Sequence, residues 1–366
     1  MQQFYMPVRV VEGAGCVRAA APLIAPLGKC ALIVTGKSSK KNGALSDVVA
    51  ALEGNGQRYA VFDEVLPNPT IACVRAGAAR ANEAGADFVI AIGGGSPMDA
   101  AKAIALLGRQ DIADADLFAG KYSPDVLPMV HIPTTAGTGS EVTQYSILTD
   151  DVAESKTSIA TPYIFPRLAL LDGGYMASLG HNTTVNTAID ALSHAVEGML
   201  SVKASQVSDL LAKESISIIC SLADAIAADT LTPADRQKLL HASMLAGMVI
   251  ANTGTTAVHA MGYSLTYYHE IDHGRANGLL LGAFVAFCAQ HLPERTDAIL
   301  QAGGLESPAA FSAMLTGLLG KCEVLTDAEM KKYAAKAIAA KNIANCAYQP
   351  TEAELYQMLK ISLEEK

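Results

Sequence analysis

Tryptophan is absent from this 366-residue chain, and aromatic residues make up only 5% of it, so the apolar half is supplied mainly by alanine and aliphatic side chains. No apolar run reaches the roughly 20 residues that a membrane-spanning helix needs, and the chain reads as soluble. It also has no CxxC pair. The seven cysteines (Cys16, Cys30, Cys73, Cys220, Cys288, Cys322, Cys346) are odd in number and scattered, which suits small buried apolar side chains in a reducing cytoplasm rather than ligands or nucleophiles. Positive charge is scarce: 27 basic residues face 36 acidic ones, and the densest basic run is Lys37-Ser38-Ser39-Lys40-Lys41, so nucleic acid is not an expected partner. The opening MQQFYMPVRVVEGAG carries no charged-then-apolar leader pattern, and a cytoplasmic location is expected.

A chain of this length is long for one core and comfortable for two. In the first half, apolar β-rich runs (CALIVTG, YAVFDEV, DFVIAIGGG, PMVHIP) alternate with Ala-rich helical stretches (LSDVVAALEGNG, CVRAGAARANEAG, PMDAAKAIALL). Runs of that kind suit strands buried on both faces and joined by helical crossovers, which predicts a mostly parallel sheet covered on both sides. KTSIATPYIFPRLALLD reads as one further extended stretch ending at Asp172. After about residue 180 helical spacing dominates, and the expected division is an α/β domain over 1–180 and an all-helical domain over 181–366 packed directly on it.

Within the helical half, Asp190 and His194 stand four residues apart in DALSHAVEG, and His259 and His273 follow in VHAMGYSLTYYHEIDHG. Positions i and i+4 share one helix face, so Asp190 and His194 can converge on a point, and two further imidazoles would complete a four-ligand shell with room for a substrate oxygen. Taken singly, each signal is more ordinary: an Asp-x-x-x-His pair often makes a local hydrogen bond, and a lone histidine is usually packed or on the surface. The combination reads as a catalytic metal site.

Two loops in the first half carry different chemistry. FVIAIGGGSPMDAAKAIA is a strand, a glycine turn and a helix: Gly93, Gly94 and Gly95 allow close backbone approach, Ser96 can cap the helix, Pro97 suits its first turn, and the helix N-terminus favours an anion such as a pyrophosphate. The spacing is not GxGxxG, and a plain tight turn is the competing reading. The second loop, Thr134-Thr135-Ala136-Gly137-Thr138-Gly139-Ser140-Glu141, offers hydroxyls of the kind a ribose or nicotinamide amide requires.

In order along the chain, EGAG, LPNPT, GGGSPMDAAKA, PTTAGTGSEVT, ALLD, DALSHAVEG, the block from His259 to His273 and YQPTEAEL make the sequence similar, over nearly its whole length, to the iron-containing (group III) alcohol dehydrogenases. The resemblance implies a Rossmann-like dinucleotide-binding α/β domain, a helical metal-binding domain, and an active site in the cleft between them. It implies that Asp190, His194, His259 and His273 hold a divalent metal, usually Fe²⁺ and sometimes Zn²⁺. Gly94, Gly95 and Ser96 match pyrophosphate-binding positions, Asn68 matches a position in the family's cofactor cleft, and Thr134, Thr135 and Thr138 match the segment that lines the ribose and nicotinamide. Lys156 matches a cofactor-contacting lysine, while Asp99 suits a structural helix-terminus role at least as well as ligand contact.

The departures from the family pattern are also informative. Where some NAD-preferring members carry Asp after the first of these strands, this chain has Gly36 followed by Lys37, Ser38, Ser39, Lys40 and Lys41, which favours NADP(H) over NAD(H). Tyr263 stands where many members have His, and Tyr267 where relatives have a small residue; His269 is extra and reads as a bystander. The expected activity is hydride transfer between NADP(H) and a small primary alcohol or aldehyde, with the metal as Lewis acid, in a homodimer or higher homo-oligomer. The alternatives are a glycerol-type polyol dehydrogenase and a dehydroquinate-synthase-like cyclase. The apolar blocks around His194 and His259 argue against the cyclase, and the intact ligand set and glycine loop argue against a non-catalytic scaffold.

Overall fold

The protein is described by a computed structural model covering residues 3–150 and 155–364. Its strands in chain order are β1 (Arg9–Glu12), β2 (Cys30–Thr35), β3 (Arg58–Phe62), β4 (Phe88–Gly93), β5 (Met129–Pro133), β6 (Tyr145–Asp150), β7 (Ser155–Ala160) and β8 (Leu168–Leu171). Six of them form one parallel sheet in the order β1-β8-β5-β4-β2-β3. Every residue of β2 and β4 is buried, as the continuous apolar runs CALIVT and FVIAIG require of strands covered on both faces.

The pleat divides these runs between two apolar clusters. Leu32, Val34, Val89 and Ala91 meet Val74, Ala78 and Ile104 from helices Ile71–Ala84 and Gly95–Leu107. Ala31, Ile33, Phe88, Ile90 and Ile92 meet Val48 and Leu52 from helix Ala44–Gly54. The stretch read as one extended segment before Asp172 is in fact two strands broken by a 3₁₀ turn at Pro162–Ile164. Its first half, β7, leaves the main sheet to pair antiparallel with β6, and only β8 joins the main sheet. EGAG and ALLD meet there: the Gly15 N–H donates to Asp172 Oδ2 at 2.6 Å and the Gly13 N–H to the Leu171 carbonyl at 2.9 Å, so both motifs serve structure.

Met6–Leu179 form one compact unit, and the chain from Gly180 onward forms the other, which Tyr5 joins by donating its N–H to Asn252 Oδ1 at 2.7 Å. The second unit is helical. Helix His181–Met199 is buried along almost its whole length from Thr184 and packs against helices Gln206–Ser221, Pro233–Thr253 and His273–His291. A charged Asp190 in a helix buried on all sides is costly unless its charge is matched, which marks that face as a site rather than as packing. No described helix is long and apolar enough to cross a membrane. All seven cysteines are free thiols, and burial pushes Cys16 and Cys346 up to about 12, as fits inert packing groups.

Candidate functional site

Three helices of the second unit supply the four metal-type donors. Asp190 and His194 lie one turn apart on His181–Met199, and His259 lies in the first turn of Ala257–His269. That helix ends at Glu270, whose φ is +54°; Asp272 then caps the next helix, accepting from the Gly274 N–H at 3.1 Å and so setting His273 at its first position. Gly274 permits the closest approach, because a Cβ there would stand 1.9 Å from the Asn186 carbonyl oxygen, one turn before Asp190. Only glycine lets the start of this helix lie against His181–Met199.

The donor atoms of Asp190, His259 and His273 lie within 4.8 Å of one another. Asp190 Oδ1 is 3.9 Å from His194 Nε2, 3.9 Å from His259 Nε2 and 3.8 Å from His273 Nε2, and the His194 and His259 Nε2 atoms are 3.0 Å apart. A tetrahedral ion with bonds of about 2.0–2.1 Å sets its donors about 3.4 Å apart, so the separations among Asp190, His259 and His273 are close to those of a single divalent ion; His194 stands outside this mutually close trio, beside Asp190 and His259, and one carboxylate with imidazoles suits iron or zinc. Burial pushes the Asp190 carboxyl up, but the attraction of His194, His273 and His259 and a hydrogen bond from Asn277 outweigh it and hold Asp190 below the usual carboxylate range. His273 keeps 26% of its side chain exposed, against 3–5% for the other three, so approach to the donors runs past His273.

Two further side chains complete this centre, and neither was singled out in the sequence. Asn277, one turn after His273 and fully buried, places Nδ2 3.0 Å from Asp190 Oδ1, 3.1 Å from His259 Nε2 and 3.3 Å from His273 Nε2. Glu197, one turn beyond His194 and equally buried, contacts His259 Nδ1 through Oε2, while Oε1 accepts from the Thr256 N–H at 2.8 Å, the Thr256 hydroxyl at 2.7 Å, the Val258 N–H at 3.1 Å and the His259 N–H at 3.3 Å. The available signals were spacing alone: 197 continues the 190, 194 face, and 277 shares a face with 273.

Around the centre, Tyr263 stacks on His273 with ring centroids 5.9 Å apart and meets His259 edge-on at 6.3 Å. An aromatic wall therefore stands where a second imidazole was the alternative. His269 turns elsewhere, its Nε2 2.8 Å from the Tyr333 hydroxyl.

In the first unit, the glycine turn and the Thr/Gly loop pack directly on each other. A Cβ on Gly94 would meet Thr135 Oγ1 at 3.0 Å, and one on Gly95 would meet Thr138 Cγ2 at 2.7 Å; Thr134 donates its N–H to the Gly93 carbonyl at 2.9 Å. Ser96 is not the helix cap. Gly94 occupies that position without a side-chain cap, so the first N–H groups of Gly95–Leu107 are left for an anion, while Ser96 Oγ accepts from the Asn68 N–H at 3.3 Å. Asn68 is held at φ +57°, and its carbonyl accepts from the Thr149 hydroxyl at 3.1 Å; Thr149 in turn lies opposite Lys156 in the β6–β7 ribbon. Asn68, Ser96 and Lys156 thus share one neighbourhood.

The loop after β2 is divided. Ser38, Lys37 and Lys41 are exposed, but Ser39 turns inward and donates to the Gly36 carbonyl at 3.3 Å, and Lys40 pairs with Asp63 at 2.6 Å.

Asp99 has the structural role. Its Oδ1 accepts from the Ser140 hydroxyl at 2.5 Å and its Oδ2 from the Ile147 N–H at 3.0 Å, fastening the second loop to the helix. Beside it Lys102, with no exposed surface, donates to Ser140 Oγ (2.7 Å), Thr143 Oγ1 (3.1 Å) and the Tyr145 carbonyl (2.7 Å); burial brings its amine down to about 8, against the attraction of Asp99 and Glu141.

Glu141 is buried in the same cluster, and burial pushes it up from 4.5 to about 7. The folded chain therefore binds this proton more tightly than the unfolded chain, a contribution fully present below pH 4.5 and lost as pH rises through about 7. Glu141→Gln, neutral throughout, is expected to stabilise the protein more in mildly alkaline than in mildly acidic buffer, by on the order of 1–3 kcal/mol in urea unfolding. An equal effect in both buffers would contradict the buried-carboxyl assignment.

These geometries have counterparts in known proteins. Residues 7–173 match the iron-containing alcohol dehydrogenase family, and residues 184–364 match the C-terminal part of the Fe-containing alcohol dehydrogenase family. Lactaldehyde reductase of Escherichia coli (strain K12) is 34% identical over 281 residues, which span 75% of this chain and 72% of that protein. The crystal structure of an iron-containing alcohol dehydrogenase from Thermotoga maritima superposes with a TM-score of 0.92 at 40% identity, covering 99% of both chains. Sulfoacetaldehyde reductase from Bifidobacterium kashiwanohense, solved with NAD⁺, gives a TM-score of 0.90 at 27% identity over the full length of both. A six-stranded parallel sheet followed by a helical unit, matched over both parts, makes this chain a member of the iron-containing alcohol dehydrogenase family, a metal-containing oxidoreductase of alcohols and aldehydes.

Proposed function

We propose that the chain transfers a hydride between NADP(H) and a small primary alcohol or aldehyde, with a divalent ion, Fe²⁺ or alternatively Zn²⁺, held by Asp190, His194, His259 and His273. The observation that carries this reading is the convergence of Asp190, His259 and His273, with His194 set against two of them. When bound, the ion supplies Lewis acidity to the substrate oxygen.

The chain's own residues do the rest. Asp190 brings the single negative charge of the donor set and, with Asn277, keeps the imidazole nitrogens grouped. Tyr263 gives the approach past His273 an aromatic wall, which favours a carbon chain beside the reacting carbon. The uncapped helix start at Gly94, Gly95 and Ser96 receives the pyrophosphate. Thr134, Thr135, Thr138, Asn68 and Lys156 serve the ribose and nicotinamide, and Gly36, Ser38 and the exposed lysines serve the adenosine ribose and its 2′-phosphate. Ser39 acts there as a loop brace, its hydroxyl being turned to Gly36. When bound, the nicotinamide would supply the hydride for reduction of a carbonyl carbon, and water would supply the proton for its oxygen.

Relatives that reduce lactaldehyde and sulfoacetaldehyde support an aldehyde substrate. Free, mostly buried thiols support a reducing cytoplasm, and the family likeness supports a homodimer or higher homo-oligomer. The direct test supplies the metal-loaded protein with NADPH or NADH and a panel of short aldehydes. Aldehyde-dependent NADPH oxidation is expected, and none with any aldehyde would end this reading.

A further inference from the structure

Glu197 forms a junction that neither metal binding nor helix packing requires by itself. Helix His181–Met199 presents Asp190, His194 and Glu197 along one face at i, i+4 and i+7; the first two aim at the metal point, and the third reaches the helix that carries His259. That helix begins at Thr256, whose own side chain makes no cap, and Glu197 Oε1 takes the capping role from a different helix. Three of its four donors are backbone N–H groups, which can only donate, so this oxygen is an acceptor and the cluster stabilises the carboxylate form. The other oxygen then has His259 Nδ1 as its neighbour, and an ionised carboxylate can only accept from it.

We propose that Glu197 is the positioning residue for His259: by accepting the Nδ1–H it fixes the imidazole in the one neutral tautomer that leaves Nε2 for the ion, while its other oxygen fixes the backbone of the same turn. The inference rests on reading the four donors as a metal centre. Asn277 agrees with it independently, because its amide Nδ2, a donor, stands 3.1 Å from His259 Nε2, the atom this tautomer leaves as an acceptor. A carboxylate behind a ligating imidazole sets its orientation and basicity, and losing such a partner costs about 10- to 100-fold in metal affinity.

The Glu197→Gln variant separates the two roles of the side chain. Glutamine can keep an oxygen toward the backbone N–H groups but turns an N–H₂ toward Nδ1, which forces that nitrogen to accept and moves the proton to Nε2. The measurement is a Co²⁺ titration of the full chain after chelator stripping, read by visible absorption, beside thermal unfolding of the metal-free proteins. The variant is expected to bind Co²⁺ about 10- to 100-fold more weakly with a near-normal unfolding midpoint. Unchanged Co²⁺ affinity in the variant would reduce Glu197 to a helix cap and overturn the proposal. If the variant does not fold, ¹⁵N spectra of the metal-free wild type at mildly alkaline pH decide instead, with the His259 signal assigned by its loss in His259→Asn: protonated Nδ1 supports the proposal, and protonated Nε2 overturns it. Failure of the wild type itself to bind Co²⁺ would remove the metal reading beneath the proposal, an outcome distinct from an unaltered variant.

Discussion

Alanine at His259 or His273 is expected to lower kcat/KM by about 10³-fold or more, because losing Lewis-acid stabilisation of the substrate oxygen removes several kcal/mol from the transition state. His259 is almost fully buried, and its Nε2 lies 3.0 Å from His194 Nε2 and 3.9 Å from Asp190 Oδ1, so its loss removes a donor from the middle of the group. His273 is the more exposed of the two, and its loss opens the centre to water as well. The residues proposed to bind the dinucleotide, around Gly94, Gly95 and Asn68, belong to the other unit. Each variant should therefore titrate with NADPH much as the wild type does, by fluorescence or calorimetry. Near-normal turnover in either variant would take the metal out of the mechanism, and joint loss of turnover and dinucleotide binding would point to misfolding.

Gly36→Asp is expected to move cofactor preference from NADPH toward NADH by about 5- to 150-fold, the equivalent of 1–3 kcal/mol for a lost or reversed charge-assisted phosphate contact. A Cβ at Gly36 would stand 3.2 Å from the Val65 carbonyl oxygen, so the variant requires that backbone to give by a few tenths of an ångström. The charge nearby is smaller than the string of lysines suggests. Lys40 is already paired with Asp63, and Ser39 faces inward, leaving Lys37, Lys41 and Ser38 on the exposed side. The shift should accordingly fall toward the lower end of the range. The readout is the ratio of kcat/KM values for the two cofactors, and a wild type that already uses NADH as well as NADPH would refute this reading of the loop while leaving the metal centre untouched.

Legibility followed the physics of burial. Strands buried on both faces, such as β2 and β4, must be apolar throughout and so announce themselves. β1 is a short edge strand with exposed ends and β6 is only half-buried, so their mixed sequences resemble loops; β7 reads as extended, but its pairing with β6 instead of the main sheet is not written in its sequence. The Asp190–His194 pair was visible because spacing on one helix fixes a shared face, whereas the meeting of His259 and His273 with them depends on how three helices pack. Glu197, Asn277 and Lys102 were not legible. A polar side chain in an Ala-rich helix reads as a solvated position, and only tertiary packing shows that these three are buried against polar partners; Asp99, by contrast, already reads as a helix-terminus residue. Ser96 shows the converse: the residue type suited a cap, but the three preceding glycines let the helix start earlier, at Gly95.

On the proposed mechanism, one ion held by Asp190, His194, His259 and His273 is required for turnover. Chelator-stripped protein should oxidise NADPH with aldehyde at a negligible rate. Stepwise addition of Fe²⁺ under anaerobic conditions, or of Zn²⁺, should restore the rate in proportion to metal bound, saturating at one ion per chain. Full activity in verified metal-free protein, or restoration that continues well beyond one ion per chain, would contradict the account.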